Sequence, residues 1–325
     1  MAGRLSLLIY KGLMMSGLAI ARAINDFLGS VAGVKIVRAK PAEAELARRL
    51  RATRGSVGGL SELRDLVAAK LTEQASARVD GHGEEIWSVP ARLNGDWYWL
   101  PADVMPYLAH CQTGELGDAD IVRSLEIETW NYFQIRDAIK PGWTVLDIGA
   151  NMGIFSIMLS RGVGTSGRVF SFEPNPEVHP QLKAMLQANG AGNVEIVPFA
   201  VADKPGELDF LRIAMSNVRR EASSLKVQET SEQLGSESHE IIRVPVTTVD
   251  TFVKDRGIVP NMMKIDVEGA DLEAIIGAEQ TIRTHHPVIQ LELHAFVADA
   301  EPKIFEFLTA NNYKITRLNN QLLCV

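Results

Sequence analysis

Four titratable side chains stand in two closely spaced pairs in the last third of the chain. Asp266 and Glu268 are two residues apart in MKIDVEGA, and Glu292 and His294 are two residues apart in IQLELH. Side chains two residues apart on a β-strand share one face or lie at one end of that strand. If the two strands are neighbours in a sheet, the four groups converge at one edge of it. Titratable groups that lie close together can transfer protons to or from a bound substrate.

This set of groups suits the deprotonation of a hydroxyl. A hydroxyl has a high pKa and is a weak nucleophile until a base removes its proton, and His294 is a natural base near neutral pH. Asp266 is the rival for that role, and Glu292 is a third catalytic candidate. Oxygen-rich sites also suit Mg²⁺, so a divalent metal held by the four groups is an alternative. In a purely structural alternative, Glu268 caps the following helix and His294 bonds to backbone.

A glycine-rich turn follows an apolar strand in VLDIGANMGIF, residues 145–155. Gly149 lets the backbone turn and lets a ligand approach closely, and Gly153 opens the next helix, whose N-terminus favours polar ligand groups. The dinucleotide-binding pattern requires glycine where this chain has Asn151, so a pyrophosphate cradle is not indicated. Asp147, two residues before the first glycine, suits a ligand with a cationic amino-acid end.

The next strand, in FSFEPN, ends in Glu173. A carboxylate at that place can accept hydrogen bonds from both hydroxyls of a ribose. NAD uses an acid there too, so Glu173 alone does not choose between cofactors, but the spacing of the glycines favours S-adenosylmethionine. An NAD-dependent oxidoreductase is the rival class, and Asn151 in place of glycine disfavours it.

Strands alternate with helices from about residue 120 to the C-terminus, which predicts a parallel, doubly wound sheet. We expect a helix over residues 121–139, a single strand in VEIVPFAVAD and a single helix in DLEAIIGAEQTI. The last two strands, YKITRL and QLLCV, are joined by Asn319–Asn320 and are therefore antiparallel. The predicted fold class is α/β, of the Rossmann-like class I methyltransferase type, with a mostly parallel seven-stranded sheet and an antiparallel last strand.

Several motifs occur in a fixed order over residues 125–325: KPGWTVLDIGANMGIFS, VFSFEPNP, PFAVAD, VTTVDTF, MKIDVEGADLEAIIGA and PVIQLELH. Together they resemble the FkbM family of S-adenosylmethionine-dependent methyltransferases, and KIDVEGA is the most family-specific of them. The resemblance implies transfer of a methyl group, usually to a hydroxyl on a sugar, glycolipid, polyketide or similar small molecule.

The resemblance also implies roles for particular residues. The methionine end of the cofactor would be held by four residues of the glycine-rich turn: Asp147, Gly149, Asn151 and Gly153. Glu173 would hold the ribose, while Asn175 and Asp203 are candidates around the adenine. Asp266 would lie near the amino group of the cofactor or near the acceptor.

The N-terminal part of the chain is basic and the remainder is acidic. Residues 1–60 carry ten Lys and Arg against three Asp and Glu, whereas the rest has 23 basic and 37 acidic residues. We therefore divide the chain into a basic helical extension (1–80), a small β-rich, aromatic linker or cap (81–120) and the S-adenosylmethionine-binding domain (121–325). The positive charge of the extension predicts an anionic surface as its partner. The negative charge of the remaining residues disfavours nucleic-acid binding by that part of the chain.

Residues 4–30 are apolar, with Arg4, Lys11, Arg22 and Asp26 on one narrow face of a helix. The uninterrupted apolar run is far shorter than the roughly 20 residues that a membrane span requires. Three alternatives stay open: a helix docked on the body or on a partner chain, a helix in a membrane interface, and a cleaved signal peptide. A cytosolic cofactor favours a cytoplasmic enzyme, with peripheral contact to the inner membrane and a homo-oligomer as open questions.

An aromatic, β-prone segment precedes the region of alternating strands and helices. EEIWSVPARLNGDWYWLP (84–101) predicts a hairpin around Asn94–Gly95. The aromatic patch Trp97, Tyr98, Trp99 and Trp130 suits stacking on a sugar ring, with packing against the core as the alternative.

Residues 214–240 are polar and predict either a surface excursion or a lid with Ser223 and Ser224 near the acceptor. The basic extension, which methyl transfer does not require, motivates an alternative function: a catalytically silent scaffold or a membrane-surface binding protein.

Overall fold

The structure is a computed structural model. It describes residues 76–79, 85–93, 96–101, 124–125, 129–213, 223–234, 239–294, 297 and 299–325. These residues fall into two units that divide between Thr129 and Trp130. The amphipathic segment predicted over 4–30 lies outside the described residues. Among the helices that are described, none is both long enough and apolar enough to cross a membrane.

The described residues of the first unit include a small sheet. Its strands are β1 (Ser76–Val79), β2 (Glu85–Leu93), β3 (Asp96–Pro101) and β4 (Ser124–Leu125). Strand β2 pairs antiparallel with β1 and β3 and parallel with β4. Leu93 pairs with Asp96 across Asn94–Gly95, so the predicted hairpin is confirmed. The helix predicted from residue 121 is wrong in its first part, because residues 124–125 join this sheet.

The second unit contains a seven-stranded sheet. Its strands are β5 (Thr144–Ile148), β6 (Arg168–Phe172), β7 (Val194–Val197), β11 (Met262–Ile265), β12 (Val288–Glu292), β13 (Ile315–Leu318) and β14 (Gln321–Cys324). They lie in the order β13-β14-β12-β11-β5-β6-β7. The five strands from β12 to β7 are parallel, and β14 is antiparallel to both of its neighbours. The predicted class I methyltransferase layout is confirmed.

Most of the described helices connect these strands. The described helices are α1 (Thr129–Ala138), α2 (Ile154–Val163), α3 (His179–Ala188), α4 (Val227–Leu234), α5 (Val249–Arg256), α6 (Asp271–Ile276), α7 (Glu279–His285) and α8 (Ala300–Ala310). Parallel strands require such crossovers, because a tight turn can join only antiparallel neighbours. The crossovers place the starts of α2 and α6 beyond the carboxyl ends of β5 and β11, at the edge where ligands bind in open α/β sheets.

The two faces of the central strands differ in polarity. Leu146, Ile148, Met263, Ile265 and Leu291 belong to one buried apolar cluster on the first face. The opposite face carries a row of buried polar side chains in register across neighbouring strands: Ser171, Asp147, Lys264 and Gln290. A charge buried in a sheet has to be paired, so this second face indicates an electrostatic function rather than packing alone.

The strand predicted in VEIVPFAVAD is wrong as a single element. It divides into β7 and the short strand β8 (Ala200–Val201), which belongs to a separate sheet of order β8-β10-β9 with β9 (Gly206–Ile213) and β10 (His239–Thr247). Pro198 lies at the break. Strand β7 lies at the edge of the seven-stranded sheet, where proline is tolerated, and after Pro198 the N–H of Phe199 donates back to the carbonyl oxygen of Val197 at 2.8 Å, so the chain turns away from the sheet.

The helix predicted in DLEAIIGAEQTI is also two elements, α6 and α7, which divide at Gly277. A Cβ at Gly277 would lie 2.1 Å from the carbonyl oxygen of Ala202. The glycine therefore allows the backbone to approach the segment after β8 more closely than any other residue would permit.

Candidate active site

The turn between β5 and α2 is held by backbone contacts. The N–H groups of Gly149 and Ala150 both donate to the carbonyl oxygen of Phe172, at 3.1 and 2.9 Å. Gly149, Asn151 and Gly153 have φ values of 84°, 47° and 90°, in the left-handed region. A Cβ at Gly149 would lie 1.7 Å from the carbonyl oxygen of Asp266. Glycine is therefore required at this position by backbone sterics as well as by φ.

Glu173 closes the turn from the neighbouring strand. Its carboxylate accepts hydrogen bonds from the N–H of Asn151 at 2.9 Å and from the N–H of Asn175 at 2.8 Å. The side chain is buried, and burial raises the pKa of Glu173 to about 7 even though both N–H groups favour the ionised form. A carboxylate oxygen has more than one acceptor site, so two such bonds leave capacity for a pair of ribose hydroxyls.

Asp147 lies between the sheet and α2 rather than at the open edge. It is fully buried and accepts a 2.6 Å hydrogen bond from the hydroxyl of Ser156, to which Ser171 donates in turn. The second carboxylate oxygen lies 3.8 Å from Lys264 Nζ. Burial raises the pKa of Asp147, and the attraction of Lys264 opposes that shift. These contacts place Asp147 beneath the turn as the partner of a buried cation.

Lys264 connects the turn to the next strand. Its ammonium group donates to the carbonyl oxygen of Gly149 at 3.0 Å and to Asp266 Oδ2 at 3.1 Å, and it lies 5.1 Å from the ring centre of Phe155. Burial alone would raise the pKa of Asp266, but Lys264 and then His294 attract its charge, and the pKa lies below its ordinary value. Asp266 is therefore an ionised carboxylate at neutral pH.

His294 lies at the end of the neighbouring strand and is held by Asp271. Its Nδ1 is 3.1 Å from Asp271 Oδ1, and its backbone N–H donates to Asp271 Oδ2 at 3.0 Å. Its Nε2 is 3.4 Å from Glu268 Oε2 and 3.8 Å from Asp266 Oδ1. Burial would lower the pKa of His294, but the hydrogen bonds to Asp271 and Glu268 outweigh it and raise the pKa to about 11.

Glu268 occupies an unusual backbone conformation. Its φ is 49°, and the following residue, Gly269, has a φ of 97°. Residues other than glycine rarely adopt this region, and such conformations concentrate at functional sites. The hydroxyl of Ser224 donates to the carbonyl oxygen of Glu268. Ser224 therefore contacts the turn that carries Glu268, while a lid with Ser223 and Ser224 near the acceptor stays a prediction.

The structure brings some of the predicted residues together and leaves others apart. Asp266, Glu268 and His294 offer ligand or proton-transfer atoms that all lie within 4.8 Å of one another. Glu292 is not in this group and instead accepts a 2.8 Å hydrogen bond from the side chain of Asn320. Asp203 is exposed, with Lys204 as its ionic partner.

Two other predictions concern ring contacts. Asn175 is buried, and its side chain accepts from the N–H of Glu177 at 3.1 Å. An adenine contact by Asn175 stays a prediction. The stacking surface proposed for the aromatic patch also stays a prediction, since the side chain of Trp97 lies outside the described residues.

Lys264 and Asp271 were missed by sequence analysis. Lys264 had a local signal, because a lysine inside the apolar strand MMKI lies on the same face as Asp266, two residues later, and a charge buried in a strand needs a partner. Asp271 had a weaker one. An acid at the start of a helix is common, and only the fold brings it to His294, 23 residues away in sequence.

The strand order and the turn after β5 define a class I methyltransferase fold. More particularly, the chain belongs to the FkbM methyltransferase family, because the family model described as the methyltransferase FkbM domain matches residues 147–315, more than half of the chain. S-adenosylmethionine is the cofactor of this class. The residues present fit it: the strained turn opens onto the N-terminus of α2, and the buried carboxylate of Glu173 retains acceptor capacity.

Two curated proteins are similar to this chain. The hexuronic acid methyltransferase AglP of Haloferax volcanii is 26% identical over 182 residues, which cover 53% of this chain and 65% of AglP. The AMB antimetabolite synthetase AmbE of Pseudomonas aeruginosa is 25% identical over 260 residues, which cover 70% of this chain and 12% of AmbE. The chain thus spans less than two thirds of the length of either relative.

Among solved structures, the crystal structure of methyltransferase FkbM from Methylobacillus flagellatus is similar to this chain with a TM-score of 0.41 and 12% sequence identity. The match covers 85% of this chain and 62% of that one.

Proposed function

We propose that the chain transfers a methyl group to a hydroxyl of a small molecule, with a sugar or sugar-like compound as the acceptor. The observation that carries this proposal is the group Asp266, Glu268 and His294 at the carboxyl ends of β11 and β12, one strand away from the glycine turn. Bound S-adenosylmethionine supplies an electrophilic methyl group. The similarity to a hexuronic acid methyltransferase supports a carbohydrate acceptor.

The order of side chains along the sheet edge supports separate positions for the cofactor and the acceptor. Glu173 follows β6 and binds the ribose, the turn after β5 binds the methionine end, and Asp266 follows β11. His294 follows β12 at the far end of this row. The acceptor hydroxyl therefore belongs against Asp266, Glu268 and His294, which orient its oxygen and take part in removing its proton. Alignment of the acceptor contributes most of the rate, since methyl transfer requires an in-line approach.

The catalytic residues of this proposal are His294 and Asp266. Asp271 is a positioning residue. It contacts Nδ1, the ring nitrogen on the side away from Asp266 and Glu268, and with an exposed fraction of only 1% it is too buried to touch the acceptor. Glu268 lies on the same side of the imidazole as Asp266, so a hydroxyl bound there would have a carboxylate on each flank. A carboxylate that accepts the hydrogen bond of the hydroxyl takes up its proton as the oxygen attacks the methyl carbon, while the positive charge of His294 offsets the negative charge of the site.

The test is methyl transfer to a panel of hexuronic acid and neutral sugar glycosides, each paired with its deoxy analogue, and followed by mass spectrometry. The proposal expects a methyl ether from the hydroxylated member of a pair and no product from the deoxy member. We expect His294→Gln to lower kcat by about 10²–10⁴-fold while binding of S-adenosylhomocysteine is kept. His285→Gln, in the last turn of α7, is the matched control. Methylation of amines alone would contradict the proposal.

A further inference from the structure

We propose that Asp266, Glu268 and His294 bind a divalent cation, Mn²⁺ or Mg²⁺, at the position where the acceptor hydroxyl docks. The site extends the proposed function by naming an ion that would bind the acceptor oxygen. It rests on that function only for what the ion does, because binding of the ion itself depends on the three side chains alone. Their ligand atoms lie within 4.8 Å of one another.

The separations suit a shared ion. The Nε2 atom of His294 lies 3.4 Å from Glu268 Oε2 and 3.8 Å from Asp266 Oδ1. Ligand atoms that bind Mg²⁺ at right angles, with bonds of about 2.1 Å, lie about 3 Å apart. Side-chain movements of less than about 1 Å would therefore bring the three atoms to the required spacing.

The imidazole is oriented as a metal ligand usually is. A histidine that binds a metal almost always donates its other ring N–H to a carboxylate or a carbonyl, which fixes the tautomer and the ring plane. Asp271 does this here, with its oxygens at 3.1 and 3.2 Å from Nδ1. Asp271 holds the proton at Nδ1, so a cation would displace the proton at Nε2, and the lone pair freed there faces the side where both carboxylates lie.

The local charge also favours a cation. Three carboxylates, those of Asp266, Glu268 and Asp271, surround one imidazole. Lys264 contributes a positive charge at Asp266 Oδ2, but it is shared with the buried Asp147. Two oxygens and one nitrogen are a hard, mixed set of ligands, which suits Mg²⁺ and Mn²⁺ better than the metals that prefer thiolates.

The site has room for further ligands. The side chains of Asp266 and Glu268 are 19% and 24% exposed, so the ion would reach solvent on the side away from Lys264. Open positions are typical of catalytic rather than structural sites. With the ion bound, Asp266 and His294 would be its ligands, and the lowered pKa of a hydroxyl held there would let water take the proton while the oxygen forms the new C–O bond and the electron pair of the broken C–S bond stays on sulfur.

Binding of the ion is tested directly with Mn²⁺ on the full chain, by the loss of the free-ion signal in electron paramagnetic resonance. We expect wild type to bind a single Mn²⁺ that Mg²⁺ displaces. Asp271→Asn should weaken binding by about 10–100-fold, because an amide that donates to Nδ1 moves the ring proton to Nε2. Glu268→Gln, which removes a ligand charge, should weaken it at least as much. Glu207→Gln, an exposed acid on β9, should bind as wild type does.

Either of two results overturns the cation site: no Mn²⁺ binding at millimolar concentration, or equal binding by wild type and the two site variants. The proposed function is tested separately by methyl transfer after EDTA treatment. Full activity without bound metal would reject the role of the cation in the reaction and keep the methyltransferase. Mn²⁺ bound at the site, without methylation of any hydroxylated acceptor, would keep the cation and reject the proposed reaction.

Discussion

The two halves of the sheet edge are built in different ways. On the side that we propose for the cofactor, called the cofactor side below, backbone groups shape the turn after β5, since Gly149 and Ala150 donate to Phe172 and Asn151 donates to Glu173. On the side that we propose for the acceptor, called the acceptor side below, the same edge is built from side chains. Asp266, Glu268 and His294 are arranged by their mutual charges and by a carboxylate from α6.

This difference has a functional reason. A cofactor that is the same in every turnover suits a rigid backbone site, whose donors and steric limits tolerate few substitutions. An acceptor site depends on charge and protonation, which side chains can supply and which a single substitution can alter. We therefore expect substitutions on the cofactor side to affect folding and binding together, and substitutions on the acceptor side to affect turnover.

Lys264 contacts both halves of the sheet edge, because its ammonium group donates to Gly149 on the cofactor side and to Asp266 on the acceptor side. Replacing it in Lys264→Met would leave Asp147 buried without its cation, which typically costs about 3–5 kcal/mol of unfolding free energy. The double variant Lys264→Met with Asp147→Asn should recover most of that loss. Urea unfolding of the set measures both effects.

The matched control for this variant is Lys204→Met, which removes a lysine whose side chain is 86% exposed beside Asp203. It should change stability by less than about 0.5 kcal/mol. Equal loss of stability in the two lysine variants, or no recovery in the double variant, would contradict a stabilising role for the buried pair of Lys264 and Asp147.

Gly149 tests the cofactor half alone. Alanine there would meet the carbonyl oxygen of Asp266 at 1.7 Å, at a φ of 84°. We expect Gly149→Ala to lower unfolding free energy by about 3 kcal/mol and to weaken binding of S-adenosylhomocysteine, because the turn must move. Gly192→Ala is the control, since a Cβ at Gly192 has no heavy atom within 4 Å. Urea unfolding and calorimetric titration give the two quantities, and equal behaviour of both variants would contradict the steric account.

The same difference explains what the sequence could predict. The glycine turn, Glu173 and the alternation of strands and helices were all predictable, because backbone constraints leave local signals in residue type and spacing. Pro198 and Gly277 are local signals for the two element breaks that the prediction missed. Each interrupts an apolar run that otherwise predicts one continuous element. The small sheet formed by β8, β9 and β10 follows from the first of these breaks.

The acceptor side was predictable only in part. Period-two spacing identified Asp266, Glu268 and His294 as members of one group, and the parallel pairing of β11 with β12 makes them neighbours. The same spacing also pointed to Glu292, whose partner is instead Asn320 in the turn before the antiparallel strand β14. Spacing on a strand fixes the face of a side chain, but tertiary contacts fix its partner, and Asp271 could not be assigned to His294 from spacing at all.

Glu173 gives the smallest of the expected effects and adds a dependence on pH. In the proposed contact, ribose hydroxyls donate to the ionised carboxylate, so S-adenosylhomocysteine should lower the pKa of Glu173 from about 7. Affinity should therefore increase as pH rises through 7 and become constant above it. Glu173→Gln should bind about 10–100-fold more weakly above that pH and show little dependence on pH.

The contribution of Glu173 to folding stability depends on pH in the opposite direction to its contribution to ligand affinity. Burial raises the pKa of Glu173 in the folded chain from 4.5 to about 7, so its contribution to stability is complete below 4.5 and is lost as pH rises through 7. Ligand binding should therefore be strongest where this contribution to the unliganded protein is smallest. Calorimetric titrations from pH 5.5 to 8.5, in buffers of different ionisation enthalpy, would detect proton release in wild type and none in Glu173→Gln. Equal proton release by both proteins would assign the titrating group to another residue, and the ribose would then lack its predicted partner on the cofactor side.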